Sequence, residues 1–227
     1  MCHPSCIEFG KSHISREEIK DKRVLEVGSL DINGSLRSFI CSYEPLYYLG
    51  VDVFSGPGVD EICDINNLTK RYGPASFDVV ICTEVMEHVR DWRKAISNLK
   101  NVLKPKGIMI LTTRSKGFAH HSFPSDFWRY EMKDMQVIFG DMVIEANEKD
   151  SDIPGVFVKI HKPCSFNEKD LSALKLYSIV KLKRCIDVNE FDIFVFKIII
   201  TLRQLLSRTL PENFKSVFRK IIFSRQR

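Results

Sequence analysis

The sequence predicts a doubly wound α/β fold: a mostly parallel, seven-stranded sheet with an antiparallel edge hairpin, followed by a C-terminal helical extension. Three observations predict it. Short apolar runs, Val24-Leu25-Glu26-Val27 and Phe77-Asp78-Val79-Val80-Ile81-Cys82, have the length and β-branched content of buried parallel strands. Helical patterns alternate with these runs, as crossovers covering both faces of a parallel sheet require. Three acids, Glu26, Asp52 and Asp64, fall in or at the ends of successive strands beside a glycine turn at Gly28. The carboxyl ends of such strands form the crevice where ligands bind.

The elements follow in order. Residues 1–21 read as a leader helix with a loop, and Ser15-Arg16-Glu17-Glu18 resembles a capping box. Strand 1 covers residues 23–27. Gly28 then lets the backbone turn sharply without a Cβ in the way of a ligand. A helix starts after Gly34 and runs to about Cys41. Strand 2 spans 47–53 and strand 3 spans 59–63, and a helical turn fills 66–72. Strand 4 covers 77–82. The next helix, 92–103, carries Ala95, Ile96, Leu99, Val102 and Leu103 on one face, and Pro105-Lys106-Gly107 stops it. Strand 5 is 108–113. A long polar and aromatic loop, 114–130, precedes a helix at 133–139. Strands at 142–147 and 156–161, separated by Ile153-Pro154-Gly155, form the edge hairpin. Helices are expected to resume over 168–182.

The 227 residues and 44% hydrophobic content suit one sizeable domain with an appendage. The expected division is a domain at 1–165 and a helical, basic extension at 166–227. Charge follows the same division. From residue 181 onward there are 11 Lys/Arg against 4 Asp/Glu, whereas the preceding part carries 23 against 25. A near-neutral body argues against nucleic acid as a partner. The seven cysteines are an odd number, scattered through the chain, and two of them, Cys63 and Cys82, fall in core strands. That usage suits a reducing cytoplasm. The amino terminus lacks a basic stretch followed by an apolar one, so no signal peptide is expected. No apolar run reaches the about 18–20 residues that span a bilayer. No metal is expected either: Cys2-His3-Pro4-Ser5-Cys6 has no second ligand pair nearby and reads as an N-terminal cap.

The tail is less settled. Ile193, Phe194, Phe196, Ile198, Ile199, Ile200, Leu202, Leu205 and Leu206 are too many apolar residues for one exposed helix. Phe214, Val217, Phe218, Ile221 and Ile222 recur at helical spacing among Lys215, Arg219, Lys220 and Arg225. Three readings stay open: peripheral contact with an anionic membrane, docking on the domain itself, or a homodimer through these helices.

The glycine turn narrows the ligand. Gly28 and Gly34 fit neither G-x-G-x-x-G nor the phosphate loop, in which a lysine would stand where Ser35 stands. The loop should therefore cradle a group without a pyrophosphate. Glu26, an acid inside an apolar strand, suits positive charge, and Asp52, about twenty residues beyond the loop, suits ribose hydroxyls.

These segments bring a resemblance into view. Val24-Leu25-Glu26-Val27-Gly28-Ser29, Tyr48-Leu49-Gly50-Val51-Asp52, Cys63-Asp64-Ile65, the run from Phe77 through Glu87-His88-Val89, and Leu103-Lys104-Pro105-Lys106-Gly107 stand in order and at the right spacing over residues 22–114. Together they resemble the class I S-adenosylmethionine-dependent methyltransferases, of the type 11-like group, with their Rossmann-like fold. The chain departs from that family's G-x-G-x-G by lacking the middle glycine. The resemblance implies S-adenosylmethionine as cofactor. It places Glu26 and Gly28 against the methionine portion, with Ser29 of the same loop among the cofactor contacts. It puts Asp52 on the ribose, Val53 on the adenine, Asp64 at the adenine amino group and the Ile65 N–H beside it. Cys82, Thr83 and Glu84 then line the floor near the sulfonium. Glu87 and His88 are expected to orient the following helix.

If the acceptor is a hydroxyl, a base must take its proton. The candidates are His120, His121 and Asp126, with His121 first. His120, Trp128, Arg129 and Tyr130 are candidates for the acceptor wall, with Arg129 suited to a carboxylate or phosphate. For Trp128 a packing anchor is the favoured reading. The implied function is methyl transfer to a small-molecule, glycan or lipid-linked acceptor. The alternative is a non-catalytic cofactor-binding or scaffold module. A nicotinamide oxidoreductase is disfavoured by the missing G-x-G-x-x-G.

Overall fold

The computed structural model describes residues 3–121 and 125–209. Strands β1 (Arg23–Val27), β2 (Tyr47–Asp52), β3 (Glu61–Ile62), β4 (Phe77–Thr83) and β5 (Leu103–Arg114) are parallel. The hairpin β7 (Val143–Lys149) and β8 (Gly155–His161) extends the sheet antiparallel beyond β5, giving the order β3-β2-β1-β4-β5-β8-β7. The strand order reverses between β1 and β4, so the crevice opens at the carboxyl ends of those two strands.

The strand pattern explains the layers. Successive residues of β4 alternate between faces: Val79 and Ile81 join one core, Val80 and Cys82 the other. One face packs against α4 (Leu68–Tyr72) and α5 (Trp92–Val102), through Leu68, Trp92, Ile96 and Leu99. The opposite face is covered by α1 (Pro4–His13), α2 (Arg16–Ile19) and α3 (Arg37–Cys41), through Cys6, Phe9, Ile19 and Ile40. The expected capping interaction holds at α2, where the Ser15 N–H donates to Glu18 Oε2 at 2.9 Å. His3 caps α1, its Nδ1 accepting from the Ser5 N–H at 3.4 Å; Cys2 lies outside the described residues.

The expected helices over 168–182 are a correction. That segment holds turns and β9 (Leu176–Ser178), which pairs with β10 (Lys183–Cys185) and with the short β6 (Trp128–Arg129) in a second, three-stranded sheet. The reason is tertiary. β6 offers an edge that β9 satisfies, while Leu171, Leu176 and Val188 bury into the main core. Residues 166–188 thus share the core of the domain expected to end at 165. The helical part of the extension is α7 (Glu190–Thr209), after α6 (Met132–Ile138) the last helix described. The second amphipathic stretch, Phe214 to Ile222 with its lysines and arginines, lies outside the described residues. Among the described residues no helix is long and apolar enough to cross a membrane.

Candidate active site

A cleft of about 1010 Å³ opens at the carboxyl ends of β1, β2 and β4. It has two chemically different ends. At the first end, β1 delivers Gly28 in the left-handed region at φ +80°, where an added Cβ would stand 2.1 Å from Val85 Cγ2. The Gly28 and Ser29 N–H groups both donate to the Val51 carbonyl, at 2.9 and 3.1 Å, which ties the loop to β2. Asp52, at the end of β2, faces the cleft with its carboxylate held by the N–H groups of Leu30 (3.3 Å) and Phe54 (3.0 Å). Leu30, Ile32, Val53, Phe54 and Ile65 supply apolar wall. Asp64 caps a 3-10 turn, Ile65–Asn67, accepting from the Asn66 N–H at 2.8 Å.

Several expected contacts lie elsewhere. Glu26, Ser29 and Thr83 line a separate small cavity beneath the loop, which shares Gly28 and Leu30 with the cleft. Glu26 is 2% exposed and accepts from Tyr48 Oη at 2.7 Å and Ser35 Oγ at 3.1 Å. Burial pushes its carboxyl up to about 7, against the pull of those two hydroxyls. Cys82 is fully buried in the core, and burial pushes its thiol well up. It packs rather than lines. Glu84 does line the cleft, with φ +57°, a strained conformation for a non-glycine residue. Its carboxylate pairs with Arg114, which also reaches Asp150 at 3.2 Å. Burial and the neighbouring Glu87 both push the Glu84 carboxyl up.

The second end carries most of the polar side chains. Glu87, His88, Phe118 and His121 line it. Glu87 is fully buried, and Thr113 Oγ1 donates to its Oε2 at 2.8 Å. His88 Nδ1 meets the Ser125 carbonyl oxygen, and His88 Nε2 lies 3.2 Å from His121 Nε2. Asp126 stands behind His121: its Oδ2 accepts from the His121 N–H at 3.0 Å and lies 3.2 Å from Nδ1, close but not aligned as a hydrogen bond. The hydrogen bonds from Arg129 and His121 hold the Asp126 carboxyl far below its usual range despite burial.

The acceptor wall expected of Arg129 and Tyr130 is a correction, whereas Trp128 is the packing anchor favoured from the sequence. Trp128, Arg129 and Tyr130 are fully buried and none lines the cleft. Trp128 Nε1 donates to the Arg90 carbonyl at 3.1 Å, and Tyr130 Oη to the Met86 carbonyl at 3.1 Å. Arg129 Nη2 donates to Asp126 Oδ2 at 2.7 Å. These are anchors that fix the loop after β5, as buried polar groups require partners. His120 turns away from the cleft onto the ring of Phe196 in α7, at 5.1 Å between centroids. Asp126, 4% exposed, is also outside the cleft, and contacts His121 and Arg129. Asn66 was missed. It follows Cys63-Asp64-Ile65 directly, which was the signal available, and its buried Oδ1 has no hydrogen-bond partner. Glu87 and His88 line the cleft as well as opening the segment before α5.

A family described as a methyltransferase domain matches residues 11–142. The chain belongs to this methyltransferase-domain family. Its class I fold agrees with solved methyltransferases at low identity. The N-methyltransferase NodS of Bradyrhizobium japonicum superposes with TM-score 0.55 at 14% identity, covering 71% of this chain and 98% of that one. The 1,6-didemethyltoxoflavin-N1-methyltransferase of Burkholderia thailandensis, solved with 1,6-didemethyltoxoflavin and S-adenosylhomocysteine bound, gives TM-score 0.54 at 10% identity over 71% and 77% of the two chains. In sequence, the ubiquinone biosynthesis O-methyltransferase of Rickettsia bellii is 30% identical over 115 residues, 47% of each chain. The chain spans about half the length of the curated relatives it matches. S-adenosylmethionine is the cofactor this membership implies, and the first end of the cleft fits it. Asp52 is an anchored carboxylate able to accept from a diol, Val53, Phe54 and Ile65 offer apolar surface to a planar base, and the buried Asn66 Oδ1 has no hydrogen-bond partner.

Proposed function

We propose that the chain is an S-adenosylmethionine-dependent methyltransferase acting on a hydroxyl of a small-molecule, glycan or lipid-linked acceptor. The observation that carries it is one cleft with an anchored Asp52 at one end and the His88–His121 pair at the other. When bound, S-adenosylmethionine supplies a methyl carbon on a positively charged sulfur. Asp52 holds the ribose, Val53 and Ile65 flank the adenine, Asp64 and Asn66 receive its amino group, and Gly28 gives the methionine portion room. Glu26, Ser29 and Thr83 act from beneath, by holding the glycine turn. Glu84, tied to Arg114, fixes the floor of the cleft between its two ends. Fixing acceptor and donor in line can supply up to about 7–11 kcal/mol of the barrier. His121, its N–H held by Asp126, would stand where an acceptor hydroxyl gives up its proton. The name of the curated relatives, ubiquinone biosynthesis O-methyltransferase, supports oxygen as the accepting atom.

Calorimetric titration of the purified chain with S-adenosylmethionine, and separately with NAD, tests this. Micromolar binding of the first and none of the second is the expected result, followed by transfer of labelled methyl to an added hydroxyl acceptor. Folded protein that binds neither overturns the reading.

A second reading, cofactor binding without turnover, has one observation in its favour. Leu30 occupies the place of the family's middle glycine and lines the cleft. Labelled-methyl transfer above background excludes it.

The tail supports contact with an anionic membrane. Phe191, Phe194, Ile198, Leu202 and Leu205 of α7 are each more than half or near half exposed, in the basic part of the chain. Deleting residues 191–227 is expected to leave cofactor affinity unchanged and to abolish sedimentation with phosphatidylserine vesicles. Vesicle binding that survives the deletion overturns the membrane assignment.

A further inference from the structure

The polar end of the cleft brings together two imidazole nitrogens and a carboxylate oxygen. His88 Nδ1 faces the Ser125 carbonyl oxygen, which can only accept, so the ring proton sits on Nδ1 and Nε2 carries a lone pair. His121 Nδ1 lies against the Asp126 carboxylate, which favours the same tautomer. The two Nε2 atoms nevertheless point at each other across 3.2 Å. Oε1 of Glu87 lies 4.0 Å from His88 Nε2, is buried, and has no hydrogen-bond partner. Among the described residues no lysine or arginine forms an ion pair with Glu87. A buried carboxylate in that state is costly.

We propose that Glu87, His88 and His121 bind a divalent transition-metal cation of the zinc or iron(II) kind. Two nitrogens on one zinc ion, each at about 2.0–2.1 Å with tetrahedral angles, stand about 3.3 Å apart. The observed 3.2 Å separation matches that spacing, and the three ligand atoms already lie within 4.8 Å of one another. Two histidines and a carboxylate form a ligand set with positions left open. All three residues line the cleft, so the open positions face the acceptor. Two of the ligands have a hydrogen-bonded outer partner, Ser125 for His88 and Thr113 for Glu87, and Asp126 Oδ2 stands 3.2 Å from Nδ1 of His121.

The inference deepens the proposed methyl transfer and rests on that reading only for the role of the cation. The bound cation takes an acceptor hydroxyl as ligand and lowers its pKa. The hydroxyl proton goes to solvent, the oxygen forms its bond to the methyl carbon, and the electron pair of the breaking bond stays on sulfur. His121 then serves as a ligand in place of a bare base.

The test uses the full chain, stripped of metal by chelator, and zinc alone as probe. One equivalent of Zn²⁺ should bind in competition with a chromophoric chelator. His121→Ala and His88→Ala should each weaken it by about a hundredfold or more, since even outer-partner losses cost about 10–100-fold. His161→Ala, at a surface pair with Glu145, should leave it unchanged. Cobalt(II) substitution should show a spectrum without thiolate charge transfer, excluding the cysteines. Absence of zinc binding, or zinc binding indifferent to both histidine variants, overturns the site and leaves a shared proton between the rings. Cofactor titration of the same protein is read separately. Zinc uptake without cofactor binding overturns the methyl-transfer reading and not the metal site.

Discussion

Asp52 is held by two backbone N–H groups, from Leu30 and Phe54, so its carboxylate is presented to the cleft at no further ordering cost. Asp52→Ala should weaken S-adenosylmethionine binding by about tenfold to a hundredfold, the value of a charge-assisted pair of hydrogen bonds. Calorimetry checks it, and near-wild-type affinity would remove the ribose assignment. Glu26 carries a different signature. Its carboxyl rises from 4.5 to about 7 on folding, chiefly by burial. Between those values the folded chain holds a proton that the unfolded chain has lost. Stability therefore falls as pH rises through that window, by about 3 kcal/mol in all, and the penalty is absent below it. Glu26→Gln keeps an acceptor for one of the two hydroxyls, turns an amide N–H towards the other, and removes the titration. Urea denaturation should show the variant gaining on the parent between about pH 5 and about pH 8. A constant difference across that range would rule out burial of Glu26 as the cause.

At the scale of elements, the loop between β5 and β6 does two jobs with one set of contacts. Arg129 holds Asp126, Asp126 holds His121, and His121 reaches the cleft. The chain of contacts converts buried polar residues into the position of one accessible imidazole. His121→Ala should lower methyl transfer about a hundredfold to ten-thousandfold while leaving cofactor affinity intact. Initial-rate assays beside calorimetry separate these two quantities. Loss of cofactor affinity in this variant would mean that the two ends of the cleft are not independent.

Across the whole molecule, the sheet is clamped to its periphery by buried charges. Lys100 of α5 is fully buried and donates to both carboxylate oxygens of Asp141 at 2.7 Å and to the Ile138 carbonyl at 2.6 Å. Burial pulls its ammonium down, and the Asp141 carboxylate holds it charged. Lys100→Ala strands Asp141, whose side chain is 5% exposed, and should cost about 3–5 kcal/mol in chemical denaturation. A cost under about 1 kcal/mol would show that Asp141 regains water on loss of its partner.

The sequence by itself determined the sheet, the two-faced core and the acids that line one end of the cleft. Strand runs such as Val79 to Cys82 and the acids Asp52 and Asp64 act through local pattern and through strand ends that parallel topology aligns. It did not determine what residues 168–182 would form. Their pattern reads as helix, but the free edge of β6 and the pull of the core on Leu171 and Leu176 made a strand. Nor did it determine which of Glu26, Cys82, His120, Trp128, Arg129 and Tyr130 would reach the cleft. Each is of a type that binds or packs equally well, and only the contacts chosen by distant segments decided between them. Glu87, His88 and His121 show the same limit in reverse. They are 33 residues apart at the histidines, and their convergence exists only once the loop after β5 folds back over β4.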